Sequence, residues 1–170
     1  MKYILAYFVY YLFAQFLPCS SSRVKIGKYI RRICARHICS FISSDSNIER
    51  RAVINKKLYL GKESGIGTRA FIQGETHIGS YVMMGPDCNI YTINHNTSDI
   101  KTPMCKQGVR PEQPVYIGND VWIGSRVTIL PGVHVGNGVI IGTGAVVSKD
   151  IPDMAVVVGN PAYIVKYRNN

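Results

Sequence analysis

His95 is the side chain in this sequence best suited to moving a proton. It stands in Tyr91-Thr92-Ile93-Asn94-His95-Asn96-Thr97-Ser98-Asp99, a polar stretch that interrupts a regular pattern on both sides. An imidazole exchanges protons near neutrality, and a loop leaving a rigid scaffold is a common place for such a general base. Asp99, four residues further on, is spaced either to orient that ring or to cap the loop. Metal chemistry fits less well. His77 and His95 are 18 residues apart and would stack on successive turns of a coil of that length, but His134 lies beyond the interruption and no close histidine pair completes a zinc set. Cys19, Cys34, Cys39, Cys88 and Cys105 are odd in number and lack ligand spacing, which suits free thiols in a reducing compartment. No metal is expected.

What must hold His95 is a six-residue repeat. Ile48, Ile54, Leu60, Ile66, Ile72, Ile78, Met84 and Ile90 keep one frame, and Ile117, Ile123, Ile129, Val135, Ile141 and Val147 resume it. A small or slender residue follows four places later at most steps, among them Ala52, Ser64, Ala70, Cys88, Val121 and Ala145. A period of six is neither helical nor that of an ordinary strand, and it marks a solenoid of short strands. Three hexads close a triangular coil of about eighteen residues, with the aliphatic inside. Glycine after the aliphatic, as at Gly61, Gly67, Gly79 and Gly85, is expected to ease the bend. The fourteen in-frame aliphatics predict between four and five coils. From Ile90 to Ile117 the spacing is 27, not a multiple of six, so an excursion leaves the ladder there.

The first residues read differently. Tyr3 to Leu17 is apolar or aromatic except for Gln15. As a helix it reaches roughly 22 Å, short of a roughly 30 Å hydrocarbon core, so no spanning helix is expected. Lys2, the apolar run and Pro18-Cys19-Ser20-Ser21 imitate an export signal, but no small-x-small cleavage site follows. A second helix is expected from about Arg23 to Ile42, its apolar residues recurring at three and four with Lys28, Arg31, Arg32 and Arg36 between them. Residues 1–57 hold eleven Lys or Arg against Asp45 and Glu49, so +9 of the chain's +10 lies there. Either this helical pair caps the open end of the coil, or residues 1–42 rest on an anionic membrane surface. No nucleic-acid motif accompanies the charge, and no such partner is expected. The expected organisation is a basic, apolar helical arm over 1–44, a repeat domain over 45–165 with a loop at 93–115, and a tail over 166–170. A cytoplasmic location is expected, with peripheral contact on the inner face of the cell membrane.

Several segments together resemble the hexapeptide-repeat acetyltransferases. They are Pro86-Asp87-Cys88-Asn89-Ile90-Tyr91-Thr92-Ile93-Asn94-His95, Val115-Tyr116-Ile117-Gly118-Asn119-Asp120-Val121-Trp122-Ile123-Gly124, Val127-Thr128-Ile129-Leu130-Pro131-Gly132-Val133, Ile141 to Pro152, and Gly159-Asn160-Pro161-Ala162. The maltose, galactoside and nodulation-factor O-acetyltransferases are the nearest branch, while the arm looks more like the capsule and exopolysaccharide enzymes. The resemblance implies a mainly β chain folded as a left-handed parallel β-helix, with an N-terminal helical arm and an excursion loop. It also implies a homotrimer with its sites in grooves between subunits, acetyl-CoA as co-substrate, and a sugar hydroxyl acceptor on a surface polysaccharide or its precursor. His95 falls on the family's catalytic histidine, the general base of a direct transfer. Ser125 and Thr143 match positions lining the pantetheine arm and, being 18 apart, are expected on one wall. Ser148 and Lys149 match residues near the nucleotide, and Lys166 and Tyr163 replace two family arginines.

On the acceptor side the sequence departs from its relatives. Gly65 and Gln73 stand where the galactoside and maltose enzymes place an asparagine and an aspartate, which weakens the case for a free disaccharide. Gln73, Asn94 and Asp99 are the acceptor-binding candidates. Alternatives on the same scaffold are N-acylation of an amino sugar, a zinc lyase of the γ-carbonic anhydrase type, and a non-catalytic trimeric scaffold. Serine acetylation is disfavoured, because that branch carries a long helical domain before the repeats. His95 retained together with Ser125, Thr143 and Lys149 favours an enzyme.

Overall fold

The computed structural model describes residues 2–168, so Met1, Asn169 and Asn170 of the expected arm and tail lie outside the described residues. From Phe41 onward the chain winds into a three-sided parallel β-helix. The first wall stacks Phe41–Ile42, Leu58–Leu60, Thr76–Ile78, Val115–Ile117 and His134–Val135, with Ile151 bridged beneath Val135. The second holds Asn47–Ile48, Gly65–Ile66, Met83–Met84, Trp122–Ile123, Ile140–Ile141 and Ala155–Val158. The third holds Phe71–Ile72, Asn89–Ile90, Thr128–Ile129 and Val146–Val147, with Val53 bridged above Phe71. Neighbouring rungs pair in parallel 18 residues apart, as in Phe41 with Tyr59 and Tyr59 with His77.

The first wall therefore has six levels, more than the four to five coils expected. Ile42 extends the frame upward, with the buried Ser46 in its fourth place. The last turn is two residues short, since Val135 bridges Ile151 and Ile141 pairs with Val157. Both positions of the hexad point inward. Ile48, Ala52, Ile66, Ala70, Ile72, Cys88, Ile123 and Val127 are all essentially inaccessible, and only Met84 is half-buried. Each coil buries its neighbours' aliphatics, which is the main source of stability in such a stack.

The glycines have a different task from the one expected. A Cβ on Gly61 would lie 2.5 Å from the Gly79 carbonyl oxygen, and one on Gly79 would lie 2.6 Å from that of Gly118. These glycines let successive coils approach. The bends use left-handed residues placed two positions further on: Glu63, Tyr81, Asp120 and Gly138 at one corner, and Arg51, Arg69, Asp87, Arg126 and Gly144 at the next. Most are not glycine, so the stacked coils hold them against a modest local strain.

The arm is shorter in both helices than expected. Helix α1 spans Lys2–Leu12 and is followed by a 3-10 turn at Ala14–Phe16. Helix α2 spans Ile26–Ile38, because the chain turns extended at Cys39 and Phe41–Ile42 already pairs with Tyr59 and Leu60. The solenoid thus begins before residue 45. At the other end Tyr163–Tyr167 folds back antiparallel on Ala155–Val158, so Lys166 belongs to a strand and not to a tail. The arm packs on the solenoid. The Tyr10 hydroxyl donates to Ala52 O (2.8 Å) and that of Tyr11 to Ile54 O (2.6 Å), and burial pushes the Tyr11 phenol up to about 12.

Candidate functional site

The excursion leaves the third wall after Ile90 and re-enters the first at Val115. His77 pairs with Tyr116, Met83 with Trp122 and Asn89 with Thr128, each 39 residues on where the coils before the insertion advance 18, so the insertion lengthens one corner without disturbing the stack. The inserted segment folds as a hairpin. Gln113 N–H donates to Thr92 O and Arg110 N–H to Asn94 O, both at 2.8 Å, and Asn96 N–H to Gly108 O at 3.1 Å. His95 occupies the rung opposite Val109 and is solvent-exposed.

Two side chains fasten the root of this hairpin, Gln73 from the corner above and Glu112 from the hairpin's own returning strand. Gln73 Oε1 accepts from the N–H groups of Thr92 (3.1 Å) and Ile93 (3.2 Å), immediately before Asn94 and His95. Glu112 Oε1 accepts from Glu75 N–H (2.7 Å) and from the hydroxyl of the buried Thr92 (3.2 Å), while Oε2 pairs with Lys57 Nζ. The Lys57 ammonium and the Glu75 N–H hold the Glu112 carboxyl below the usual carboxylate range. Gly74 leaves the space for this cluster, since a Cβ there would collide with the Glu112 carboxylate and the Thr92 hydroxyl. Glu112, Thr92 and Gly74 were not among the residues singled out from sequence. Their contacts join positions 20 to 55 apart, and the loop has no periodicity that would have indicated them.

Asp99 takes the second of the roles its spacing allowed. Its Oδ1 accepts from Lys101 N–H (2.8 Å), and the Thr102 hydroxyl and that N–H hold its carboxyl below the usual range. The Gln107 amide ties the same turn through Asp99 O and Thr102 O, each at 2.7 Å. Asp99 is therefore a loop cap. Asn94 is exposed beside His95, and Gln73 is half-buried at the hairpin root.

Ser125 and Thr143 do meet, but on the corner between the second and third walls and not on a wall. Gly144 N–H donates to Ser125 O (2.9 Å), and a Cβ on Gly124 would lie 2.6 Å from Thr143 N. Ser148 and Lys149 lie exposed on the opposite edge of the third wall, on the same corner column as the hairpin root. Lys166 is exposed on the final antiparallel strand, paired with Val156. The third wall is thus flanked by Ser125 and Thr143 on one side and by His95, Ser148 and Lys149 on the other.

The stacking imagined for His77 and His95 does not occur. The inserted hairpin removes His95 from the coil count, and His77 lies between Tyr59 and Tyr116 with ring centroids 4.3 and 4.8 Å away. His134, beyond the interruption in sequence, lies in that same column below Tyr116, at 4.8 Å. Among the described residues no cluster of three His, Cys, Asp or Glu side chains is arranged to hold a metal ion.

Comparison with known proteins agrees with this architecture. Residues 114–149 match the family described as bacterial transferase hexapeptide (six repeats). The chain is 40% identical over 112 residues to a protein of Mycobacterium tuberculosis described as a probable acetyltransferase, a match covering 66% of this chain and 36% of that protein. It is 39% identical over 94 residues to the galactoside O-acetyltransferase of Lactococcus lactis, covering 55% of this chain and 44% of the relative. The chain thus spans less than half the length of these curated relatives. Among solved structures, a maltose O-acetyltransferase from Clostridium difficile superimposes with a TM-score of 0.76 at 28% identity, over 98% of this chain and 86% of that one. A hexapeptide-repeat acetyltransferase of Vibrio cholerae, solved with acetyl coenzyme A, shares the fold at 22% identity and a TM-score of 0.74, over 98% and 84% of the two chains.

Proposed function

We propose that this hexapeptide-repeat chain is an acetyltransferase that uses acetyl-CoA to acetylate a sugar hydroxyl on a surface polysaccharide or its precursor. The observation that carries the reading is His95, exposed on a rung of a hairpin whose root Gln73 and Glu112 fasten to the prism. That anchoring fixes the backbone position of the base while leaving the imidazole open to an incoming substrate. Acetyl-CoA supplies an acetyl group already activated as a thioester, so no covalent enzyme intermediate is needed.

In this mechanism His95 accepts the acceptor's hydroxyl proton as that oxygen bonds to the acetyl carbon. The carbon–sulfur bond breaks, and the proton passes to the departing thiolate. Ser125 and Thr143 offer hydroxyls along one corner for the pantetheine arm, and Ser148, Lys149 and Lys166 offer hydroxyl and cationic partners for phosphates. Asn94 and the amide of Gln73 lie near the acceptor's side of the base. Three copies of the chain complete the site, with each groove between neighbouring protomers. The acceptor is met at the inner face of a cell membrane, through peripheral contact of residues 1–42.

Replacing His95 with Ala is expected to lower the rate of thiol release in the presence of an oligosaccharide acceptor by about a hundredfold to ten-thousandfold. Acetyl-CoA binding, followed by calorimetry, is expected to survive. Near-normal turnover by that variant would defeat the assignment. Sedimentation velocity should give a mass of three chains, and a monomer with full activity would remove the intersubunit groove from the account.

A further inference from the structure

The helical pair capping the prism has two apolar sides, and the solenoid uses only one. Ala6, Tyr10 and Ala14 are buried, with Tyr10 seated on the solenoid at Ala52 and Ala6 turned toward α2. On the opposite side, by helical spacing, lie Leu5, Phe8 and Leu12, exposed by 66, 55 and 73%. Beyond Lys2, α1 carries no charge. Helix α2 adds an exposed stripe of Ile26, Tyr29 and Ile33 at the same spacing. A shallow groove lined by Leu5, Val9 and Ile33 runs between the helices, so the two stripes form one surface.

Charge decides what covers it. Lys25, Lys28, Arg32 and Arg36 border the apolar stripe of α2. Lys28 also borders a recess of the prism lined by Asp45, Glu49 and Glu63, of which Glu49 is turned inward. Burial pushes its carboxyl up, but the Ser20 hydroxyl and N–H, the Asn47 amide and the Arg31 guanidinium outweigh that and hold it low. A second copy of the chain would bring these cations against their own kind. A nucleic acid would suit the cations but leave Leu5, Phe8 and Leu12 in water. An anionic bilayer surface satisfies both groups.

We infer that the outward face of α1 and α2 docks in the headgroup region of an anionic membrane, with Leu5, Phe8, Leu12 and Ile33 at the acyl boundary and Lys28, Arg32 and Arg36 on lipid phosphates. The inference deepens the membrane contact proposed above and does not depend on the catalytic assignment. Eleven helical residues reach roughly 16 Å, so α1 lies in the interface. No described helix is long and apolar enough to cross a membrane. Because Tyr10 and Arg31 lock the arm to Ala52 and Ile48, docking sets the orientation of the whole prism, and hence of His95, relative to the lipid.

The test is cosedimentation of the full chain with vesicles of phosphatidylcholine containing phosphatidylglycerol, and with phosphatidylcholine alone. Binding is expected with the anionic vesicles and should weaken as salt rises. Phe8→Glu with Leu12→Glu should lower the partition coefficient by about a hundredfold. Lys28→Gln with Arg32→Gln should lower it by about fivefold per cation. A Phe8→Trp variant should be quenched by brominated lipid while Trp122 is not, which reports docking without weakening it. No sedimentation of the unaltered chain, no quenching at position 8, or self-association abolished by the same glutamates would each overturn the proposal. Acetyl-CoA binding should be unchanged in every variant, so a failure here is separable from a failure of the catalytic reading.

Discussion

At the scale of single residues, Glu112 is where the fold's rigidity reaches the hairpin that carries His95. Its carboxylate joins Lys57, Glu75 and Thr92, residues from two corners and the root of the hairpin. Glu112→Gln keeps the shape but removes the charge, and on the function proposed above acetyl transfer is expected to fall by about tenfold, a loss of the size produced when the proposed base shifts slightly from its working geometry. Its linkage has a definite sign. The folded carboxyl titrates below its ordinary value of 4.5. Its contribution is therefore complete above about pH 4.5 and is lost as pH falls through the lowered folded value. Amide exchange at Thr92 and Gln113 should accelerate over that acid range in the unaltered chain and show no such step in Glu112→Gln. The loop that carries His95 was legible in the sequence because it broke a strict repeat. Glu112 was not, because its partners are joined only by the winding of the chain.

Among the elements, the corners and the walls make separable contributions. Gly124→Ala would place a methyl 2.6 Å from Thr143 N, so the coil below must shift. We expect a cost of about 1–3 kcal/mol, seen as a lower Tm, together with weaker acetyl-CoA binding, because the shift falls on Ser125 and Thr143. Ile129→Ala on the third wall removes a fully buried side chain and should cost about 2–5 kcal/mol while leaving the acetyl-CoA Kd close to its original value. Equal binding losses in the two variants would show that the corner has no special part. The hexad frame showed both elements in advance, but it assigned the glycines to bending. Their contact with the next coil is a property of stacked turns and appears only when the coils are assembled.

The molecule as a whole is joined at Arg31. Its buried guanidinium donates to the carbonyls of Ile48 (2.7 Å), Leu17 and Pro18 (both 3.1 Å) and Ala14 (3.3 Å), and lies 3.8 Å from Glu49. Arg31→Met takes the guanidinium from Glu49 and from the Ile48, Leu17 and Pro18 carbonyls, and should destabilise the chain by about 3–5 kcal/mol. Proteolysis near Lys25 and Lys28 should quicken before the solenoid melts. An unchanged cleavage rate would mean that Tyr10 and Tyr11 alone hold the arm. In sequence Arg31 was one more cation on a helical stripe, and its burial follows from where the 3-10 turn and the first coil meet. The repeat, the triangular winding, the place of the interruption and the apolar, basic character of the arm are written in the order of residues, since all of these are patterns of neighbours and their solvation. Which corner carries the hairpin root, which charges are buried and which apolar side of the arm is left outward emerge with the winding of the chain, because each depends on groups brought together across whole coils.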